Sequence, residues 1–524
     1  MNATYADRDW QEPNWHTLRA PLIAAVLALT AVLVSWRGVD LPAAIYRVGL
    51  FHRDGLTLWD SQWYGGHWTL NYSALFPPLA GVLGLGLTEI LSAATAAWAF
   101  DRLVIGHFGR AARAGSLIFA VGTLATVAIG QLPFLLGEAL ALCAYLAATR
   151  RRWSLGIALA LASSLASPLA GAFLVLAAFA WLITSWPRRR LAAGGLIAGA
   201  IIPGAVVGAL FPGQGFMPFP ATDFIYLAAL CIGVLALVVW RGERSLRNAA
   251  LLYIAAVVLA FALPTPMGGN ISRLGECLGA PLAACVLWPR SRRLAAAVAV
   301  PLALLQWTPA LATFTSDRAD PSTHIEYFAP LLGYLAAHDQ PAARVEIVPT
   351  KLHWEAAYVA PSMPLARGWE RQLDTADNPL FYTPGALTTS SYQSWLVSNA
   401  VRYVAVPDVA LDYAAVAEGD LIRRGVPGLR LAWHDAHWQV YRVIGAPGIV
   451  DGAARLVALD GHGMTLDASG PGTALVRIRY TPRWTITQGQ GCVRQGPGDT
   501  TAVQTLEPGA LRLAPELAHP DDSC

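Results

Sequence analysis

Charge is scarce in this sequence. Asp, Glu, Lys and Arg make up 14% of the 524 residues against 55% hydrophobic ones, and mean hydropathy is +0.44. That balance excludes a soluble enzyme of this length, because too little polar surface is left to cover the apolar residues. Lysine is almost missing: Lys351 is the only one, and every other basic residue counted is arginine. The net charge of +3 points to neither nucleic acid nor a strongly acidic partner. No small-residue cleavage site follows the first apolar run, Leu18 to Ser35, so a retained anchor is expected rather than a removed signal. The chain also lacks a Walker loop, a dinucleotide-type glycine turn after a strand, a Cys/His metal spacing and a nucleophile elbow. No cofactor is expected, although a divalent metal is not excluded.

What is present is a series of apolar runs able to cross, or nearly cross, about 30 Å of hydrocarbon. They lie near 18–36, 86–104, 114–130, 132–149, 154–166, 168–186, 191–211, 225–240, 249–263, 276–288 and 294–312. About eleven transmembrane helices are therefore expected, with a tilted or re-entrant pair where the short run 154–166 meets Ser167-Pro168. Arginine clusters at 102–113, 150–152, 188–190, 241–247 and 290–293 fall at every second loop. Basic residues collect on the cytoplasmic side. Residues 1–17 are then expected to be a cytoplasmic N-terminus in a multi-pass plasma-membrane protein. Residues 18–314 form the transmembrane domain, with the first loop, 37–72, and everything after 314 on the outer side.

From about 315 the pattern changes to short alternating segments. Residues 315–445 read as a mixed α/β domain, with buried strands at Arg344–Pro349 and Val401–Val406, helices around 391–400 and 416–424, and a hairpin about Asp435-Ala436. Residues 446–524 read as a small β-sandwich. Cys143, Cys231, Cys277 and Cys285 sit in apolar runs as small core residues. Cys492 and Cys524 lie in polar surroundings and are candidates for a disulfide in an oxidising compartment.

The first loop holds the densest polar and aromatic chemistry. Leu41, Ala44, Ile45, Val48 and Phe51 recur at helical spacing, which predicts an amphipathic helix in the membrane interface. Asp40 precedes it. With Pro42 in the first turn it fits a helix N-cap; at the end of the first membrane helix it also fits a general base facing a cavity. Asp60 and His67 are titratable groups in the aromatic stretch Leu58–Trp68, suited to proton transfer or to a ligand hydroxyl, and Trp63, Tyr64 and Tyr72 are candidate binding aromatics that otherwise serve as interfacial anchors. A second candidate is the outer loop Pro264–Glu276. There Gly268 and Gly269 precede Arg273, a natural phosphate clamp with Asn270 and Glu276 beside it. The plain alternative is an Arg273–Glu276 ion pair one turn apart. Glu89, Asp101 and Glu138 are intramembrane or boundary acids that mark cavity walls or helix contacts.

The acidic residue after the first membrane helix, Arg37-Gly38-Val39-Asp40, followed by an interfacial helix and an aromatic segment ending in Phe76-Pro77-Pro78-Leu79, resembles the C-type glycosyltransferase (GT-C) superfamily. More closely, Leu58–Leu79, Gly130–Gly137, Ala166–Gly171, Gly268–Gly275, Val345–Ala360, Ala366–Asp374 and Asn399–Pro407 resemble the actinobacterial membrane proteins labelled "6-pyruvoyl-tetrahydropterin synthase-related". The superfamily resemblance implies sugar transfer from a polyprenyl-phosphate donor to a cell-envelope glycan or lipid acceptor at the outer membrane face. It makes Asp40 the base and gives Arg273 the carrier phosphate. Many members carry two adjacent acids where Val39 and Leu41 flank Asp40, which counts against a metal-dependent version. Trp369, Trp395, Trp433 and Trp438 are candidate glycan-stacking groups, with a place in the core as the alternative. The rival expectations are a transporter or lipid-carrier flippase with an accessory outer domain, and a non-catalytic scaffold for envelope assembly.

Overall fold

The computed structural model describes residues 18–524 apart from 186, 188, 214, 318, 339–341 and 518–523, so the expected N-terminal segment 1–17 lies outside the described residues. The chain begins with α1 (Arg19–Leu33), α2 (Leu41–Asp54) and a two-stranded ribbon of β1 (Trp59–Asp60) and β2 (His67–Trp68). Then follow α3 (Phe76–Leu83), α4 (Leu85–Phe108), α5 (Arg113–Ile129), α6 (Leu132–Thr149), α7 (Trp153–Ala166), α8 (Pro168–Ser185), α9 (Arg190–Leu210), α10 (Ala221–Arg241), α11 (Arg244–Ala262), α12 (Ser272–Leu287) and α13 (Arg292–Ala312).

Each of the eleven apolar runs is thus a helix, and the chain is a helical membrane protein. By length and composition, six helices among the described residues can cross a membrane on their own: α5, α6, α8, α9, α11 and α13. A seventh crossing results if α3 and α4, bent by 112° at their junction, count as one. The junction is Gly84 at φ +85°, a left-handed conformation that glycine adopts without steric cost. The other runs fall short of that test: α1 and α7, for example, hold only 15 and 14 residues, roughly 22 Å of rise against the ~30 Å hydrocarbon core. Small residues let the helices approach closely. Ala20, Ala24, Ala28 and Ala31 of α1 are buried in one cluster with Ala93, Ala96 and Ala97 of α4. Between α7 and α8 the chain is extended at Ser167 (φ −155°, ψ 111°), as the residue before a proline prefers. The start of α3 closes the end of α7: Ser73 Oγ donates to Ala166 O at 2.7 Å and Ala74 N to Leu165 O at 2.9 Å.

After α13 come α14 (Ile325–His338), β3 (Arg344–Ile347), α15 (Glu355–Tyr358), α16 (Arg371–Asp377), α17 (Thr389–Ser398), β4 (Val401–Pro407), α18 (Val416–Arg424), β5 (Leu429–His434) and β6 (Trp438–Val443). Their sheet has the order β3-β4-β6-β5, with β3 parallel to β4 and the other pairs antiparallel. The remaining strands are β7 (Val450–Gly452), β8 (Ala454–Asp460), β9 (Gly463–Ala468), β10 (Gly472–Arg479), β11 (Trp484–Gln488), β12 (Gly491–Gln495), β13 (Thr500–Thr505) and β14 (Gly509–Pro515). They make two four-stranded antiparallel sheets, β12-β13-β10-β7 and β11-β14-β9-β8. Inward positions alternate along β10, where Ala474, Val476 and Ile478 are buried, as a half-buried strand requires. Cys492 and Cys524 are joined in a disulfide that ties the end of the chain to β12.

The first loop is part of the C-terminal region's core. Trp59 and Trp68 share a cluster with the sandwich residues Met464, Val476 and Trp484, with the Trp59 and Trp484 rings 5.6 Å apart. Trp63, Tyr64 and Tyr46 of α2 belong to the cluster of the mixed sheet, with Phe328, Trp354 and Trp438. Trp395 and Trp438 are buried, and Trp433 stacks on Tyr334 at 5.1 Å. Trp395 and Trp438 are core residues, and Trp433 is half-buried against the mixed-sheet cluster.

Candidate active site beside the first loop

Asp40 stands where α1 gives way to α2, held against the α5–α6 turn. Its backbone N–H donates to Ile129 O at 2.9 Å. Two glycines permit that approach: a Cβ on Gly38 would lie 2.3 Å from Ala128 O, and one on Gly130, at φ +90°, 2.4 Å from Leu41 N. The Asp40 side chain makes no capping bond to α2, so the N-cap reading does not describe its contacts. Instead Arg273 Nη2 donates to Asp40 Oδ2 at 3.4 Å. Burial pushes the Asp40 carboxyl above its ordinary range, opposed by the Arg273 charge, a hydrogen bond from Gln131 and the charge of His353. A carboxylate with a raised pKa is a stronger base while ionised.

Arg273 is fixed from its own side. Its guanidinium lies 5.7 Å from the Phe134 ring centroid, and Tyr253 braces the start of α12, its hydroxyl donating to Ile271 O at 2.9 Å and accepting from Gly275 N at 3.2 Å. The ion-pair partner of Arg273 is Asp40, in place of the neighbouring Glu276. Gly268 and Gly269 serve packing: a Cβ on Gly268, at φ +41°, would lie 2.0 Å from Met217 O, and Gly269 N donates to Pro218 O. Asn270 lies in the turn Gly268–Ile271 and Glu276 on the first turn of α12. Neither is hydrogen-bonded to Asp40 or Arg273 among the described residues.

Arg273 also lines a cavity of about 2060 Å³ in the membrane domain. Its walls are mainly apolar side chains of α4, α6, α8, α10, α11 and α12, including Phe134, Leu142, Phe173, Leu227 and Leu278, with Glu138 among them. Through Arg273 the Asp40–Arg273 pair therefore borders an apolar space. With 16% and 21% of their side chains exposed, the two groups are neither fully closed off nor free in water.

Asp60 and His67, expected beside Asp40, are buried in the packing between the loop and the C-terminal region. Asp60 accepts from Tyr46 Oη at 2.8 Å and Gln62 N at 3.0 Å. His67 stacks on Trp63, and its Nε2 lies 3.2 Å from Arg47. Burial and the Arg47 charge hold its imidazole well below the usual range, hence neutral. Trp63 and Tyr64 are fully enclosed. All four side chains are buried where the loop packs against the C-terminal region. Tyr72 differs: it lies 5.8 Å from Trp369, edge to face, and 5.3 Å from the Arg47 guanidinium. Burial and the Asp40 charge raise its hydroxyl above the ordinary value, which places it in the electrostatic reach of Asp40.

The sequence marks Trp369 as a candidate stacking group and Ala366–Asp374 as a stretch of resemblance, but not that this segment locks the arrangement. In Arg367-Gly368-Trp369-Glu370-Arg371, Trp369 Nε1 donates to Val39 O at 3.1 Å, and Glu370 forms a buried ion pair with Arg47. Arg371 pairs with Asp412 at 2.6 Å, and Arg367 with Asp374 at 2.6 Å and Glu418 at 3.2 Å. His353, at φ +54°, bridges Asp412 and Glu355 at 3.3 and 3.2 Å. Burial pulls its imidazole down, but those carboxylates outweigh it and hold the pKa at about 9. Among the described residues no group of three His, Cys, Asp or Glu side chains is arranged for a metal ion.

Apolar helices, a β-rich C-terminal region seated on the first loop, and an acid–arginine pair whose arginine lines an apolar cavity describe a membrane protein. No family model matches the chain, and no curated protein matches it. Among solved structures it is similar to the cryo-EM structure of the arabinofuranosyltransferase AftD from Mycobacteria, with a TM-score of 0.48 and 16% identity over 89% of this chain. A mutant of that enzyme gives a TM-score of 0.47 at 18% identity over 86% of this chain. The chain spans 42% and 43% of those two structures.

Proposed function

We propose that the protein is a GT-C-type glycosyltransferase moving a sugar from a polyprenyl-phosphate donor to a hydroxyl of a cell-envelope glycan or lipid, at the outer membrane face. One observation carries this reading: Arg273 contacts Asp40 and at the same time lines the deep apolar cavity. A polyprenyl chain belongs in that cavity, its phosphate on Arg273. Asp40 takes the proton of the acceptor hydroxyl as its oxygen bonds to the anomeric carbon. The bond from that carbon to the phosphate oxygen breaks, with inversion, and the departing phosphate's charge is met by Arg273. Arg273 favours the ionised form of Asp40 against the effect of burial and turns to phosphate when the donor is bound.

The actinobacterial family resemblance, the cytoplasmic N-terminus and the eleven crossings belong to the same proposal. The alternation of arginine clusters between helices and the seating of the outer region on the first loop support them. The test is transfer by the purified full chain in lipid vesicles, with a panel of radiolabelled polyprenyl-phosphate sugars and an envelope glycan extract. Turnover that Asp40→Asn removes supports the proposal. Turnover unchanged in Asp40→Asn contradicts it.

A further inference from the structure

The cavity has a second charged end. Along α6 its lining runs from Phe134 to Thr149, about 22 Å of helix rise. At the far end stand Arg102, Arg150, Arg152 and Arg189, all lining the same space. Arg189 lies 5.9 Å from the ring of Trp181, itself a wall residue 5.2 Å from Tyr145. The guanidiniums oppose one another: burial first, then the charges of Arg102 and Arg152, push the Arg150 pKa below its ordinary value. Like charges converging at the mouth of an apolar space favour an anion there, and a guanidinium's fork of donors suits phosphate oxygens. The length of the cavity suits one acyl chain.

We infer that the cavity end formed by Arg102, Arg150 and Arg152 binds the phosphate headgroup of an anionic glycerophospholipid from the leaflet opposite Asp40, with an acyl chain extending into the apolar space. This site does not depend on the sugar-transfer reading. Charge complementarity selects the headgroup, and the continuity of arginines with apolar wall selects a lipid over a free anion.

The test is native mass spectrometry of the delipidated full chain after addition of long-chain phosphatidylglycerol or phosphatidylcholine. The expected result is about tenfold preferential retention of phosphatidylglycerol, lost in the Arg102→Gln/Arg150→Gln/Arg152→Gln variant. A control variant, Arg290→Gln/Arg292→Gln/Arg293→Gln, removes as much charge from residues outside the cavity lining and should keep the preference. Equal loss in both variants would show general surface attraction and overturn the inference. So would displacement by inorganic phosphate as effective as by the lipid, or short-chain dihexanoyl phosphatidylglycerol binding as tightly as the long-chain form. Should the triple variant fail to fold, Ala177→Trp, which fills the apolar wall, should lower long-chain lipid retention. Unchanged retention there contradicts the site.

Discussion

Asp40 and Arg273 meet at 3.4 Å across 233 residues of sequence, joining the first loop to the start of α12. Removing the cation leaves the carboxylate buried beside one fewer positive charge, so its pKa rises further. Activity that needs ionised Asp40 falls as pH drops through that value. In Arg273→Gln the acid limb of kcat/KM should therefore move to higher pH, with kcat/KM reduced at every pH. A pH–rate profile checks this, and an unmoved limb would separate Arg273 from Asp40.

Asp60 provides the contrast. Replacing it with Asn weakens the bonds from Tyr46 and Gln62 in a closed interior, and a cost of about 1–3 kcal/mol in stability is expected. The acid limb of the rate profile should stay where it is. Thermal unfolding and the same pH profile, measured together, distinguish this structural role from the catalytic one expected from sequence.

Glu370 and Arg47 form a buried ion pair between the C-terminal region and α2. Glu370→Gln strands the Arg47 charge in the interior, which should cost about 3–5 kcal/mol. Limited proteolysis should then cut the C-terminal region faster, and a double-mutant cycle with Arg47→Met should recover much of the loss. Strict additivity of the two variants would show that the pair does not couple the two parts.

His353 has its pKa raised to about 9 from an ordinary 6.5, so the folded state binds its proton more tightly than the unfolded one. The stability this contributes is full below about pH 6.5, on the order of 3 kcal/mol, and disappears as pH rises through 9. Unfolding midpoints between pH 6 and 10 should fall across that window, and His353→Gln should flatten the fall. A wild-type midpoint constant from pH 6 to 10 would contradict the assignment.

Long apolar runs made the membrane helices legible in the sequence, since hydrocarbon tolerates few alternatives to them. The alternating strands and turn residues did the same for the mixed sheet at Arg344–Ile347 and Val401–Pro407. The crossing count was less legible, because helices such as α7 combine an apolar surface with too little length. At the site, Asp40 and Arg273 stood out as charges in places that need a partner. The burial of Asp60 and His67 did not, because periodicity within the loop says nothing about the sandwich and sheet that close over it. Nor could spacing bring out Glu370 with Arg47 or His353 with Asp412, whose pairing exists only once distant segments pack.

The central claim is that the Asp40–Arg273 pair performs sugar transfer. The most direct measurement compares wild type with Asp40→Asn in vesicles, following release of polyprenyl phosphate from a labelled polyprenyl-phosphate sugar in the presence of acceptor. The account predicts a loss of roughly 10²–10⁴-fold in the variant, with thermal unfolding and membrane insertion unchanged. Equal release by both proteins, or movement of intact labelled lipid across the membrane with no release by either, would contradict it.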